Sequence, residues 1–238
     1  MPSTVLGNPR LQRGFPSRLR PTLARRKNMI EFARIHTQEQ ISNVVRLARE
    51  IWTDHYTAII GREQVDYMLD KFQSERGIAA QLADGYEYYT VLHEGENVGY
   101  IAIVPDDNAR TIMISKIYVR RSRRGHGFGR AMLEFAEDLC RKRHMTSLCL
   151  TVNKNNTQAI AWYMRMGFKN VGSVVQDIGT GFVMDDYRME KSMGQQGAEG
   201  DTLGLRLPPQ KRRDRTLAIV YNRGHEINNQ YQREALDP

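Results

Sequence analysis

TIMISKIYVRRSRRGHGFGRAML, residues 111–133, is the stretch on which the fold turns. Thr111 to Val119 reads as a strand, rich in β-branched and apolar residues. A helix opens near Phe128, and its apolar face continues through Met132, Leu133, Ala136 and Leu139/Cys140. Between strand and helix, Gly125, Gly127 and Gly129 alternate in a basic loop that contains Arg120, Arg121, Arg123 and Arg124. Ser147 to Val152 is the next strand. Strand, helix and strand in this order imply a parallel, right-handed crossover.

Glycine alternation lets the loop backbone turn its N–H groups inward. The helix that follows adds amides without intrahelical partners and the positive end of its dipole. Together these form an anion site suited to a diphosphate. Arg123, Arg124 and Arg130 raise the local positive potential. The loop is not a dinucleotide fingerprint, because position 130 is Arg where that pattern needs Gly. It is not a P-loop either, because no Gly-Lys-Ser/Thr follows. Taken alone, the loop also fits a tight turn with no ligand, and its arginines a solvated face.

Working outward toward the N-terminus, Glu31 to Ile35 alternates like a strand, and Thr37 is placed to cap a helix carrying Ile41, Val44, Val45, Ala48 and Ile51/Trp52. Short helices fit Val65 to Phe72 and Ile78 to Leu82. Strands follow at Tyr88 to His93 and Val98 to Val104, with turns at Glu94-Gly95-Glu96-Asn97 and Pro105-Asp106-Asp107-Asn108. Downstream, Thr157 to Met166 reads as a helix stopped by Gly167, and strands run from Phe168 to Ile178 and from Gly181 to Glu190. The crossover aside, the sheet reads as antiparallel.

Two motifs now coincide. Arg124-x-x-Gly127-x-Gly129, at a strand–helix junction after Val119, resembles the acetyl-CoA loop of the GNAT superfamily of N-acetyltransferases. Asn156-x-x-Ala159-x-x-x-Tyr163, then Gly167-Phe168, resembles that superfamily's second cofactor helix and its exit. The resemblance implies a single α/β (α+β) domain over residues 29–193, with a mixed, mostly antiparallel sheet of six to seven strands flanked by helices. It implies acetyl-CoA as co-substrate and no metal. Backbone groups of Ile117, Tyr118 and Val119 would pair with the pantetheine arm, and one N–H there would meet the thioester carbonyl, a donor of a kind that contributes about 3–4 kcal/mol. Arg124, Gly125, His126, Gly127, Phe128, Gly129 and Arg130 would hold the pyrophosphate, and Asn156 the pantetheine side. Tyr163 would protonate the leaving thiolate; a core aromatic with a satisfied hydroxyl is the plainer reading of the same residue. Glu87, Asp177, Asp185 and Asp186 are candidates to draw in a cationic amine, and none has a spacing that identifies it as the base.

Two further stretches resemble the PaiA-type polyamine acetyltransferases: Val174 to Gly179 with Val183 to Lys191, and Ile51-Trp52…Tyr56 with Gln64…Tyr67-Met68-Leu69. The expected partner is a small-molecule amine, in a cytoplasmic enzyme whose homodimerisation is left open. A protein N-terminus, a lysine or an antibiotic would be served by the same motifs. A non-catalytic acetyl-CoA sensor, or a nucleic-acid binder using the basic leader, is the reading from outside enzymology.

Composition bounds the rest. The net charge of +8 suggests nucleic acid, but residues 1–28 carry seven basic side chains and no acid, whereas residues 29–193 carry 21 of each. The charge therefore describes the leader, and no nucleic acid is expected for the domain. The leader reads as a disordered segment, an organelle transit peptide, or a start assigned too early with Met29 as the true one. Residues 194–238 read as linker and extension, with a lone strand at Leu217 to Tyr221. No run of apolar residues is long enough to span a membrane. Cys140 and Cys149 are too few for a disulfide framework and read as buried thiols.

Overall fold

The computed structural model describes residues 29–194. The readings for the leader, and for residues 195–238 with the strand at Leu217 to Tyr221, lie outside the described residues.

The chain enters through β1 (Ile30–Arg34), then three helices, α1 (Gln38–Ile60), α2 (Arg62–Gln73) and α3 (Glu75–Ala83). Thr37 starts α1 with a capping box: its hydroxyl accepts from the Gln40 N–H while the Gln40 side chain accepts from the Thr37 N–H. Strands β2 (Glu87–His93), β3 (Glu96–Asp106) and β4 (Thr111–Val119) form a meander. The β2–β3 turn is narrower than its sequence suggests. Glu94 and Gly95 alone make it, both at positive φ (54° and 82°), a geometry whose twist matches that of the flanking strands. Pro105 and Asp106 likewise stay in β3, and Asp106 Oδ1 accepts from the Ala109 N–H at 2.9 Å to close the next turn. A 3₁₀ turn at Arg121–Arg123 leads to α4 (Phe128–Lys142), β5 (Ser147–Asn153), α5 (Thr157–Arg165), β6 (Lys169–Gly179) and β7 (Phe182–Ser192).

All seven strands form one sheet, in the order β1-β2-β3-β4-β5-β7-β6. Among the described residues only β4 and β5 run parallel; every other pair is antiparallel. Strand alternation sends successive residues to opposite faces. Ile101 and Ile103 join Phe128, Met132, Leu133 and Ala136 of α4 on one face. Tyr100 and Ala102 join Val44, Leu47 and Ile51 of α1 and Leu69 of α2 on the other. Each buried side chain of this size contributes about 1.5–3 kcal/mol. Cys140 and Cys149 are free and buried, and desolvation raises both thiols, to about 11 and about 12. Among the described residues no helix is long and apolar enough to cross a membrane.

One irregularity shapes the centre of the sheet. β3 and β4 pair as Ala102 with Lys116, then Ile103 with Ile114, so Ser115 is an extra residue on β4. A bulge of this kind bends its strand. β4 and β5 stay in register over only three pairs, Thr111 with Ser147, Ile112 with Leu148 and Met113 with Cys149. Beyond Met113 the strands part. The β5-facing edge of β4 from Ile114 to Val119 is thereby left without a strand beside it.

Candidate functional site at the β4–β5 split

The split opens into a cavity of about 950 Å³. The glycine loop closes one end. Gly125 and Gly127 hold φ of +81° and +84°, and a Cβ on either would meet no atom within 4 Å. Conformation, not crowding within the protein, is what asks for glycine there. Gly129 differs: it is already helical, and its added Cβ would make ordinary contact with Trp162 at 3.5 Å. Gly127 caps α4 with no side-chain hydrogen bond, and the first helical bond runs from the Ala131 N–H to the Gly127 carbonyl at 3.0 Å. The N–H groups of Phe128, Gly129 and Arg130 therefore have no intrahelical acceptor, and these residues line the cavity. Free amides at a helix start, beside open space and several arginines, fit a diphosphate.

Not every loop residue is offered to that space. His126 is exposed, does not line the cavity, and directs Nδ1 at the Arg124 carbonyl, 3.0 Å away. Phe128 is buried in the α4 core, so its amide alone is available. Arg124 folds back, Nε donating to the Val119 carbonyl at 3.2 Å. Arg123 pairs with Glu96, and Arg130 with Glu134 at 3.2 Å. Ile117, Tyr118 and Val119 line the cavity from β4; Ile117 and Val119 pack on the α4 face and Tyr118 on the α1 face.

α5 supplies the opposite wall. Asn156 caps it, its side-chain oxygen accepting from the Ala159 N–H at 3.4 Å, and is only 4% exposed. Its amide nitrogen lies 3.2 Å from His55 Nε2 on α1. Tyr163 is buried, with its ring edge-on to Trp162 and Phe168. Burial raises its phenol, and neighbouring Tyr56 adds to the shift. The group thus stays protonated throughout the neutral range and lines the cavity as a donor.

The four candidate carboxylates separate cleanly. Glu87 lies outside the cavity, bound by both Arg143 nitrogens at 2.9 Å and by the Tyr89 hydroxyl at 2.7 Å. Asp177 accepts from the Gly179 N–H at 2.7 Å in a turn. Asp185 is exposed and pairs with Lys154. Asp186 alone faces the cavity. It is 5% exposed, and burial raises it to about 6, against a lowering hydrogen bond from Thr151. Of the four, Asp186 is thus the one placed on the cavity, and Glu87, Asp177 and Asp185 are occupied elsewhere.

Two cavity residues escaped the sequence reading. His55 continues the α1 face beyond Trp52, and its imidazole is lowered by burial first and by Arg124 second. Tyr56 beside it places its hydroxyl 3.4 Å from that of Tyr118. The other is Lys116 of β4. Among the described residues no group of three or more His, Cys, Asp or Glu side chains is placed to hold a metal ion.

A mixed sheet parted at its parallel pair, with free helix amides beside the gap, defines a class of α/β domain with an anion-binding cleft between two strands. Comparison with known sequences narrows the class. The sequence profile of the acetyltransferase (GNAT) family matches residues 45–168, and the chain belongs to that family. It is 25% identical over 159 residues to an uncharacterized N-acetyltransferase in the pepI 3′ region of Lactobacillus delbrueckii subsp. lactis, covering 64% of this chain and 88% of that one. It is 33% identical over 98 residues to the streptothricin acetyltransferase of Streptomyces lavendulae, covering 41% of this chain and 52% of that one. Among solved structures, the PaiA N-acetyltransferase of Thermoplasma acidophilum, in complex with coenzyme A, superposes with a TM-score of 0.56 at 20% identity, over 69% of this chain and 99% of that one.

Proposed function

We propose that residues 29–193 form an N-acetyltransferase domain that passes the acetyl group of acetyl-CoA directly to a primary amine. One observation carries the reading: unpartnered amides at the start of α4, the open edge of β4, Tyr163 and Asp186 all border one cavity. The co-substrate supplies an acyl group activated as a thioester. The loop from Arg124 to Arg130 holds its diphosphate through main-chain amides, and the His126 side chain takes no part. The β4 edge at Ile117, Tyr118 and Val119 orients the extended arm, with an N–H directed at the thioester oxygen. Asn156 borders the same arm while it caps α5 and holds His55.

Protons move at two side chains. The Asp186 carboxylate accepts one from the incoming ammonium, and the Tyr163 hydroxyl delivers one to the departing sulfur. A C–N bond forms as the C–S bond breaks; the second proton lost by nitrogen restores the Tyr163 hydroxyl, and the one taken up by Asp186 is released to solvent. An alkylammonium near pKa ~10.4 facing an acid at about 6 makes the first transfer uphill by roughly 6 kcal/mol. An aspartate at its ordinary value of 3.8 would face about 3 kcal/mol more. The burial that raises Asp186 thus serves the chemistry.

The acceptor reading is less favourable to polyamines than the sequence suggested. The wall that faces β4 is built largely from Trp52, Tyr56, Met68 and Phe72 of α1 and α2 and Tyr86 after α3, with Arg76 and Asp84 as a balanced pair of charges and Lys116 opposite on β4. A cleft for a multiply charged cation would be acidic. An amine on an apolar frame fits better, and the partial similarity to an antibiotic acetyltransferase is compatible with that. A panel of amine acceptors assayed by thiol release and acetyl mass gain tests the function. Turnover on any primary amine supports it. A coenzyme A-dependent rise in melting temperature with no turnover on any amine would replace it with a sensing role.

A further inference from the structure

Lys116 sits on the bulged part of β4 and lines the cavity. It shares a strand face with Tyr118, which packs on the α1 side, so its side chain is directed to the acceptor half of the split. Its ammonium is enclosed by protein while its surface remains partly open to the cavity. Its one hydrogen-bond partner is the Ser115 hydroxyl at 3.3 Å. Among the described residues no carboxylate pairs with it, although Asp84 and Asp186 border the same cavity. Desolvation lowers it to about 8, which still leaves it mostly charged at neutral pH.

An enclosed ammonium without a counter-ion is costly and is normally paired. The diphosphate of the proposed co-substrate does not supply the pair. Lys116 lies three residues, about 10 Å of strand, before Val119, and the glycine loop begins further on still. The arm between loop and thioester has no charge. A second cation, Arg76 of α3, borders the same cavity from its exposed rim. The surrounding wall is aromatic and apolar, which strengthens any charge pairing within it.

We propose that Lys116 is an anion subsite of the acceptor pocket, so that the acceptor is an amine which also bears a carboxylate or phosphate on an apolar or aromatic frame. This rests on the acetyltransferase reading for the amine but not for the anion. The amine is drawn toward Asp186 and the anion toward Lys116. Opposite charges on the protein then fix the acceptor's orientation, and a simple polyamine, lacking the anion, leaves Lys116 unpaired.

The test separates binding from turnover. Trp52 and Trp162 are the chain's two tryptophans, and both line the cavity, so intrinsic fluorescence reports occupancy. 3-Phenylpropionate, 2-phenylethyl phosphate and the neutral 3-phenylpropanamide are titrated into the full chain with coenzyme A present. One of the anions is expected to bind at least tenfold tighter than the amide, and the tighter one identifies the anion class. Lys116→Met should erase the difference and Lys116→Arg should keep it. Equal binding of all three probes, or a preference that survives in Lys116→Met, overturns the proposal. With acceptors, Lys116→Met should raise KM for phenylalanine at least tenfold and leave 2-phenylethylamine within threefold. An equal fall in kcat for both would make Lys116 part of the chemistry and also overturn it. Should no amine be acetylated at all, the acetyltransferase reading fails while the three binding titrations still decide the subsite.

Discussion

Asp186→Asn should make the protein both more stable and nearly inactive. The carboxyl is buried to 5% exposure and raised from 3.8 to about 6, with burial as the chief cause. The folded state therefore holds this proton more tightly than the unfolded chain. Between about pH 4 and pH 6 the folded form binds more protons, so stability falls as pH rises through that window. A shift near two units amounts to about 3 kcal/mol, fully felt above pH 7 and absent below pH 4. Asparagine keeps an oxygen for the Thr151 hydrogen bond and has no charge to desolvate. At pH 8 the variant should gain up to about 3 kcal/mol, or roughly 6–12 °C in Tm for a domain of this size, and at pH 4 almost nothing. Thiol release should fall about 10²- to 10⁴-fold. Denaturant titrations at pH 4 and pH 8, beside the thiol assay, measure both. Equal stability gains at the two pH values would refute the burial argument, and turnover within threefold of the parent would refute the proton-accepting role.

Two other substitutions probe the remaining parts. Tyr163→Phe keeps the ring contacts with Trp162 and Phe168, so Tm should hold within a few degrees and coenzyme A affinity within threefold by calorimetry. Its kcat should drop about 10²-fold if the phenol supplies the proton, and a full kcat removes that role. Gly127→Ala adds a methyl to open space, so its penalty is conformational, about 1–2 kcal/mol for the left-handed backbone. Coenzyme A affinity should weaken at least tenfold as the α4 amides move or are shielded, and unchanged calorimetric binding would disconnect the loop from the diphosphate.

Much of the architecture was legible because it rests on short-range patterns. The strand at Thr111–Val119, the α4 face at Met132, Leu133 and Ala136, and the Thr37 cap each declare themselves within one or two turns of chain. Strand alternation could also have singled out Asp186: Met184 faces the α1 core, and the residue two further on points the same way. Neighbouring Asp185 necessarily points to the opposite face, where it meets Lys154. Lys116 was hidden for a different reason. Its direction depends on the extra residue Ser115, and a bulge is a property of two paired strands, invisible in either alone. His55 was hidden by distance, since the partner that holds it, Asn156, lies 101 residues away in the chain.

The brief pairing of β4 with β5 has a consequence for how the molecule comes apart. Three residue pairs stitch a four-strand leaf, β1 to β4, to a three-strand leaf, β5 to β7. Each leaf is internally laced along most of its length; β5 and β7 alone share seven registered pairs. The sheet is thus bound like a book with a short spine. Amides on either side of the spine should exchange with solvent through separate cooperative openings rather than one. Anything laid lengthwise between the pages lengthens the binding and joins the two units into one.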